Sequence, residues 1–450
     1  MNRASLKLIG SIALGNGLVP LNSTMIVVAL PFIARDEGID LASASWLITL
    51  YLIVMAALHP VGGRIGDRFG RRRLMLGALL YFGLASIGAA LSQGFAMLVF
   101  FRLQQAIAAA LVAPNGMGIL KRAAGDRAGT FFGIISAVSG AAASVGPLIG
   151  GLLVGLDWRW IFAVNVPICA LAFALAIVNL PEEAARPNTR FDLAGVVALG
   201  LILSATAWTL TTLAHGVDAT TLVLAVAVVA AGIVFIRYES GHEDAALPPA
   251  LFRIRAFAAA NVTIGAANMS LYATLLAIPA LLANDPATAV LSGVALFALG
   301  AVQIFLAPLT GMLVDRFGAK WPPAFGGLCI LAGSLATGAL VVGGNFALLL
   351  VALMVTGSGI AFTFPASRVA AVDAVPQRYV SLASGVVQTS RYLAGMIGAI
   401  LVGAVLTVLP QPVRVPTLFT ILAAGGAVTS LAALGMPGMT RRAPVVEEVA

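Results

Sequence analysis

Two arginines lie deep inside long apolar segments and are the first candidates for chemistry. Arg102 is about 10 Å from one end of its predicted helix and Arg391 about 16 Å from one end of its own, at ~1.5 Å per residue. A charged group at such depth faces a cavity or a partner. The chemistry expected is recognition of an anionic or zwitterionic group. The alternative is a structural arginine bonded to helix carbonyls and neighbouring amides.

Uncharged polar side chains share these apolar segments and offer hydrogen bonds to the same cavity. They are Asn16, Asn22, Ser23, Thr24, Gln104, Gln105, Asn115, Asn261, Asn268, Gln303, Gln388 and Tyr392. Together with the two arginines, the predicted substrate and coupling residues are Asn22, Gln105, Asn268, Gln303 and Gln388. His59 can titrate near neutral pH and is a candidate for a proton path, although a lone histidine is more often simply packed.

The residues that usually perform catalysis do not form a recognisable constellation. His59, His215 and His242 are dispersed, Cys169 and Cys329 stand alone, and no metal or nucleotide motif occurs. The sequence therefore predicts neither an enzyme nor a metal or cofactor site.

Composition identifies the solvent of this protein. Of its 450 residues, 60% are hydrophobic and only 10% charged, and the mean hydropathy is +1.02. Such a chain is expected in a bilayer, and apolar runs of about twenty residues select helices rather than a barrel. The net charge of +8 is scattered through short loops, which argues against nucleic acid as a partner and leaves membrane lipid.

The apolar runs predict fourteen transmembrane helices, at roughly 6–33, 44–63, 74–93, 95–120, 130–155, 160–180, 191–213, 219–236, 257–283, 290–314, 322–343, 345–371, 381–408 and 416–436. Most of the 26 lysines and arginines fall on one side if both termini are cytoplasmic. The expectation is a multi-pass protein of the cell (inner) membrane.

A densely charged loop lies between the second and third runs, and a second copy of its pattern follows the tenth run. The first copy is Gly63-Arg64-Ile65-Gly66-Asp67-Arg68-Phe69-Gly70 and the second is Gly311-Met312-Leu313-Val314-Asp315-Arg316-Phe317-Gly318. The repeat predicts two related halves. The expected domains are an N-terminal six-helix bundle (1–183), a linker with two inserted helices (184–245), and a C-terminal six-helix bundle with a short cytoplasmic tail (246–450).

The charges of these loops suggest a conformational latch. Asp67 can pair with Arg68 or Arg71, or cap a neighbouring helix, and such contacts can form in one conformation and break in another. The alternative is a charge cluster that only fixes orientation. The predicted latch residues are Gly63, Asp67, Arg68, Gly70, Arg71, Asp315 and Arg316.

The fifth run carries a cluster of small residues around a proline, Gly146-Pro147-Leu148-Ile149-Gly150-Gly151. Glycines at helical spacing allow close helix contact, and proline disfavours a straight helix. Gly146, Pro147, Gly150 and Gly151 are predicted to mark a sliding interface between the halves, with ordinary packing as the alternative.

Taken together, these motifs resemble the major facilitator superfamily, and within it the fourteen-helix drug:proton antiporters. The stretch 63–74 is similar to the superfamily signature, and the cluster at 146–151 to the antiporter motif. Arg102 and Gln105 match a further motif, with Ala106 and Ala108 in place of its glycines. More particular to the fourteen-helix branch are Trp158-Arg159-Trp160-Ile161-Phe162, Asn165-Val166-Pro167 and Phe191-Asp192-Leu193-Ala194-Gly195.

The resemblance implies an all-α major facilitator fold, with two six-helix bundles plus an inserted two-helix hairpin. It implies secondary active export of small amphipathic compounds or drugs by alternating access, with protons as the coupling ion, and a monomer is expected. This chain departs from the family pattern in the first helix, where Asn22 replaces the titratable carboxylate.

Asn22 and Arg102 are expected at similar depth, so the missing acid affects both. Either Arg102 pairs with amides, or the cavity is electropositive. The alternative function is export of a specific anionic metabolite or lipid, with coupling that does not depend on a carboxylate in the first helix.

Overall fold

The computed structural model describes residues 3–124, 128–182, 192–215, 219–241, 249–282, 286–341, 344–375 and 380–438. Within these ranges 34 side chains lie outside the described part, among them those of Asp67 and Asp315. The described chain is α-helical, apart from a 3-10 turn at Pro249–Arg253 and an isolated bridge between Gly318 and Gly438.

The helices run in chain order as α1 Arg3–Asp36, α2 Leu41–Phe69, α3 Arg71–Ala90, α4 Phe95–Ala124, α5 Ala128–Val154, α6 Trp160–Ala163, α7 Asn165–Asn179, α8 Leu193–His215, α9 Ala219–Ser240, α10 Arg255–Leu282, α11 Pro286–Phe317, α12 Trp321–Leu340, α13 Phe346–Asp373, α14 Val380–Val408 and α15 Arg414–Ala433.

Every predicted apolar run overlaps helical structure, but the run at 160–180 is divided. The helix is interrupted at Val164, between the short α6 and α7. Pro167 explains the break because it has no N–H to donate to the carbonyl of Ala163, one helical turn earlier. The stretch Trp160–Asn179 is still one span long and apolar enough to cross a membrane, as the run predicts.

Twelve helical spans in the described chain are long and apolar enough to cross a membrane, with α6 and α7 counted as one. In α2 and α8 the described apolar stretches are shorter, at Ser43–His59 and Leu193–Thr209. The all-helical membrane fold is therefore confirmed, whereas the count of fourteen stays a prediction.

Helix α9 has most of its apolar surface exposed on the outside of the protein. Only 11% of its most apolar window is buried, and valines such as Val223, Val226 and Val234 are more than half exposed. A helix with so much apolar surface outward is stable in lipid rather than water. It packs against α8, its neighbour in the chain.

Two compact units are present, and each has its own core. Met1–Arg190 with Leu275–Phe305 form the first, in which α1 packs on α5 and α7, and α3 and α2 pack on α4. Phe191–Thr274 with Leu306–Ala450 form the second, in which α12 packs on α13 and α15, and α14 on α8. Residues 275–305 thus pack with the first unit, whereas the predicted domains follow the chain order.

Candidate substrate and coupling site

Arg102 lies in α4 and is buried, with only 1% of its surface exposed. Its Nη1 donates to the Gln105 side-chain oxygen at 3.0 Å, and its Nε donates to the Leu47 carbonyl at 3.3 Å. The guanidinium carbon stands 4.2 Å from the ring centre of Tyr51, a cation–π distance. These are contacts with neutral groups, as in the amide-paired alternative.

Gln105 carries the network on to α3. Its amide nitrogen donates to the Ser86 hydroxyl at 2.8 Å, and that hydroxyl donates to the Phe82 carbonyl at 2.7 Å. Gln105 and Ser86 are both fully buried. A buried polar chain with its bonds made holds side chains in one geometry. Arg102 is therefore tied into the packing of α2, α3 and α4.

Asn22 lies in α1 and is also 1% exposed. Its oxygen accepts from the Asn165 amide at 3.2 Å, and Asn165 donates also to the Ile161 carbonyl at 3.1 Å. The Asn22 amide nitrogen makes no hydrogen bond within the described chain. The structure therefore joins Asn22 to α7, and a site shared with Arg102 stays a prediction.

The second unit contains a pair of arginines on one amide. Arg391 of α14 donates from Nη1 to the Gln388 oxygen at 3.1 Å, and Arg368 of α13 donates from Nη2 to the same oxygen at 3.0 Å. The two nitrogens are thus no more than about 6 Å apart, where like charges repel by roughly 3 kcal/mol at an effective dielectric constant of ~20.

Other polar groups of α10 surround this pair. The Asn268 amide donates to the Arg391 carbonyl at 2.6 Å, and the Ser390 hydroxyl donates to the Asn261 oxygen at 2.9 Å. The structure thus brings together Asn268, Gln388 and Arg391, three of the predicted site residues. Gln303 lies in α11, where it donates to the Leu299 carbonyl at 3.4 Å. It belongs to the first unit, which includes residues 275–305.

Arg368 was missed as a site residue at the sequence level. It stands near the end of its apolar run, where an arginine is ordinarily read as a charge of the neighbouring loop. A signal was present, since the run continues past it and the helix extends to Asp373. The sequence did not reveal that Arg368 and Arg391, 23 positions apart, share one acceptor.

The repeated charged segments adopt the same local structure. Gly70 and Gly318 have positive φ angles of 94° and 80°, and their N–H groups donate to Gly66 and Val314 at 2.8 and 2.9 Å. A side chain at either position would be strained, which explains the glycine that ends each copy. The latch contacts of Asp67 and Asp315 involve side chains outside the described part and stay a prediction.

The basic residues of the two copies also match. Arg68 stands 5.6 Å from the ring centre of Phe69, and Arg316 stands 5.3 Å from that of Phe317. Both phenylalanines are exposed. Each segment therefore has an exposed arginine beside an aromatic ring at the end of a helix.

Arg71 sets the first copy apart, because it is 7% exposed and lies across α4. A Cβ at Gly118 would fall on its guanidinium, so the absence of a side chain there makes room for it. Nearby, Asn115 donates to the Gly62 carbonyl at 3.1 Å, and a Cβ at Gly66 would fall on the Asn115 oxygen. Glycines thus allow the end of α2 to pack directly on α4. Gly63 is half-buried at this contact.

In the glycine cluster at 146–151, Gly146 and Gly150 lie against α1. A Cβ at Gly146 would come within 2.9 Å of the Leu21 carbonyl, and one at Gly150 within 2.8 Å of the Met25 carbonyl. The Pro147 carbonyl lies 2.7 Å from the Cβ position of Gly293 in α11, and Gly151 is buried. Gly146 and Gly150 therefore pack inside the first unit, as the alternative of ordinary packing describes.

The tryptophan motif joins α6 to the end of α1. Trp158 donates from its ring nitrogen to Asp36 at 2.9 Å, and Arg159 pairs with the same carboxylate oxygen at 3.2 Å. Arg159 also stacks 4.2 Å from the Trp158 ring. This cluster has a structural role, consistent with the burial of Trp158.

The motif before α8 caps a helix. The Asp192 side chain accepts from the Gly195 N–H at 2.8 Å, which satisfies a donor of the first turn. A Cβ at Gly195 would fall on the carboxylates of Asp192 and Glu239, so glycine is required for this packing.

Comparison with known proteins places this architecture. The family model of the Major Facilitator Superfamily matches residues 12–253 and 257–448. The chain belongs to the Major Facilitator Superfamily. It is therefore a multi-pass membrane transporter, and the resemblance seen in the motifs is confirmed.

Relatives within the superfamily include proteins named for drug export. The chain is 30% identical to the tetracenomycin C resistance and export protein of Streptomyces glaucescens, over 88% of this chain and 75% of that protein. It is 30% identical to the multidrug resistance protein Stp of Mycobacterium tuberculosis (strain CDC 1551 / Oshkosh), over 90% and 76%.

A solved structure of a transporter shows the same fold. A POT family transporter crystallised in complex with 5-aminolevulinic acid superposes with a TM-score of 0.70 at 16% identity, covering 95% of this chain and 94% of that one.

Proposed function

We propose that the protein exports small amphipathic compounds or drugs by secondary active transport, with alternating access between two six-helix bundles. The observation that carries this proposal is the 30% identity, over nearly the whole chain, to proteins named for drug resistance and export. The repeated segments at Gly70 and Gly318 support the proposal of two related halves that take part in alternating access in a similar way.

Proton antiport is the coupling we propose, through a group other than a carboxylate in α1. Asn22 cannot titrate, and its oxygen already accepts from Asn165. His59 in α2 is buried, and histidine is the side chain whose ordinary chemistry best suits proton transfer, so it is the candidate for the coupling group.

The proposed arrangement in the membrane has fourteen helices, with α8 and α9 as the inserted hairpin. Both termini are placed in the cytoplasm, and the protein is placed in the inner membrane of the cell. The distribution of lysine and arginine supports this orientation. The apolar exposure of α9 supports a lipid-facing place for the hairpin. We propose a monomer as the working unit.

A second candidate is an exporter of anionic compounds. The observation in its favour is the pair of Arg368 and Arg391 on one uncharged acceptor. In this candidate the compound itself supplies the negative charge.

Transport by the purified protein in liposomes distinguishes the candidates. A panel of cationic, neutral and anionic amphipathic compounds is tested with and without an imposed pH gradient. Export of cationic and neutral compounds that depends on the gradient supports the first proposal. Gradient-independent exchange of an anion favours the second. Absence of movement for all three classes would contradict both.

A further inference from the structure

We propose that Arg368 and Arg391 together form a binding site for the oxyanion of an amphipathic aromatic anion, such as a carboxylate or sulfonate. Gln388 is the positioning residue, because its one oxygen holds both guanidiniums. The inference rests on the proposed transport function and specifies the substrate class that this part of the second unit accepts.

Charge is the first argument. In the described chain no ion pair joins a carboxylate to either guanidinium, and the shared acceptor is a neutral amide. Two positive charges held this close repel each other and are poorly compensated by an amide dipole. A bound anion between them would supply the missing charge.

Hydrogen bonding is the second argument. Each guanidinium has five N–H donors arranged in a planar fork that fits an oxyanion. The Nε of Arg391 is buried and has no acceptor in the described chain, nor has the hydroxyl of Ser367, next to Arg368. Donors therefore remain around the pair for the oxygens of a ligand.

An apolar wall stands beside the charge. The guanidinium carbon of Arg391 is 4.4 Å from the ring centre of Phe364, and both residues are partly exposed. An aromatic ring next to a paired cation favours a ligand that combines an oxyanion with a flat apolar body. Inorganic anions would use only the charged part.

The position of the pair fits the loading of an exporter. Arg368 lies about 8 Å and Arg391 about 16 Å from the ends of α13 and α14 that one short loop joins, at ~1.5 Å per residue. Under the proposed orientation this loop is cytoplasmic. The site would then accept compounds from the inner side.

Binding to the full-length protein in nanodiscs of phosphatidylcholine tests the site. The probes are 1-naphthoate and its neutral analogue 1-naphthamide. We expect the parent to bind naphthoate about tenfold more tightly, as the charge-assisted bonds to a single carboxylate suggest. Arg368→Gln and Arg391→Gln should each remove most of this preference while naphthamide binding changes less than about twofold. Equal loss for both probes would overturn the inference.

The Gln388→Glu variant tests the site even if the arginine variants fail to fold. The substitution keeps the side-chain size and gives the two arginines a carboxylate of their own. We expect a higher melting temperature together with loss of the preference for naphthoate. A folded Gln388→Glu protein that binds naphthoate as the parent does would refute the site. Arg237→Gln, an exposed arginine in α9, is the matched control and should keep the preference.

Two further measurements separate the possible failures. In nanodiscs with phosphatidylglycerol, displacement of naphthoate would assign the site to a lipid headgroup and overturn the substrate inference, whereas unchanged binding supports it. If liposomes export amphipathic compounds but the arginine variants keep the parent's anion preference, the site is wrong and the export function stands. If arginine-dependent binding is found without export, the function is wrong and the site stands.

Discussion

Arg71 and Gly118 form the tightest fit between single residues around the charged loop. The guanidinium occupies the position where a side chain at Gly118 would stand, so the absence of a Cβ on α4 is a condition for burying Arg71. Burial of an arginine against a glycine fixes the loop to the helix by shape. This packing is separate from the predicted latch role of Arg71, which stays a prediction.

We predict that Gly118→Ala destabilises the protein by no more than about 1 kcal/mol, because the displaced guanidinium ends a flexible side chain and alanine favours the helix. Thermal unfolding in detergent measures the effect. Gly77→Ala on α3 is the control, since its Cβ position has no neighbour within 4 Å. In the double variant with Arg71→Ala, the effect of Gly118→Ala should shrink. Additive effects would show that the two residues do not compete for space.

Asn22→Asp should make transport more dependent on pH. The substitution preserves the acceptor used by Asn165 and removes an amide nitrogen that has no described acceptor. A carboxylate at this depth can titrate, and if Arg102 shares its site, the attraction between the two should keep it ionised near neutral pH. Handling of cationic compounds should improve relative to anionic ones, and Arg102→Ala in the parent should weaken handling of anions.

Uptake into inverted vesicles across a pH series, for the parent, both single variants and the double variant, measures these effects. The isosteric Asn165→Leu is a control that removes the partner of Asn22 without adding charge. If the effects of Asn22→Asp and Arg102→Ala are independent and additive, the two residues do not meet, and the hypothesis of an electropositive cavity loses its main support.

At the level of elements, α1 and α5 are in such close contact that glycine is needed on the face of α5. The Cβ positions of Gly146 and Gly150 fall at backbone carbonyls of α1, which cannot move as a flexible side chain can. Small residues allow this approach, and the gain is van der Waals contact between backbones. The motif therefore shapes the first unit before it can influence any movement.

Gly150→Ala is predicted to lower stability by about 1–3 kcal/mol, because its methyl group would stand 2.8 Å from the Met25 carbonyl. Gly140→Ala, on the same helix with no neighbour within 4 Å, should be neutral or stabilise by up to about 1 kcal/mol through helix propensity. Melting temperatures of the two variants in the same detergent provide the measurement. Equal melting temperatures would place Gly150 on an open face.

The helices could be predicted from the sequence because the bilayer demands runs of about twenty apolar residues. Local interruptions were harder to predict. At Val164 the helix is interrupted because Pro167, three residues later, has no N–H to donate to the Ala163 carbonyl. The arginines were found as candidates by their depth. Their partners were only partly predictable. Helical spacing could pair Gln105 with Arg102, whereas Arg368 reaches Gln388 from another helix.

On the scale of the whole molecule, the latch is our hypothesis for how a loop could set the balance between conformations. We predict that Asp67→Asn slows transport but leaves substrate affinity and expression nearly unchanged, because the residue biases conformational populations without touching the ligand. Initial rates and binding in the same liposomes measure the two effects. Asp315→Asn is the matched change in the second copy. A normal rate for Asp67→Asn would favour a charge cluster that only fixes orientation.

Topology is tested by single introduced cysteines and a reagent that does not cross the membrane. Positions near Arg122, Arg186 and Arg253 should be labelled only from the cytoplasm, and positions near Glu37, Asp218 and Asp285 only from outside, because the positive residues face inward. A variant with Cys169 and Cys329 replaced by alanine gives the background. Labelling from outside at Arg186 would overturn the count of fourteen helices.

The matching turns at Gly70 and Gly318 contain a comparison within one chain. Both copies have a positive φ angle at the glycine and an arginine beside a phenylalanine. The residue after the glycine differs, since it is Arg71 in the first copy and Ala319 in the second. The second copy is thus a version of the loop without the inserted guanidinium, and exchanging the two residues would show what that guanidinium contributes to the first copy.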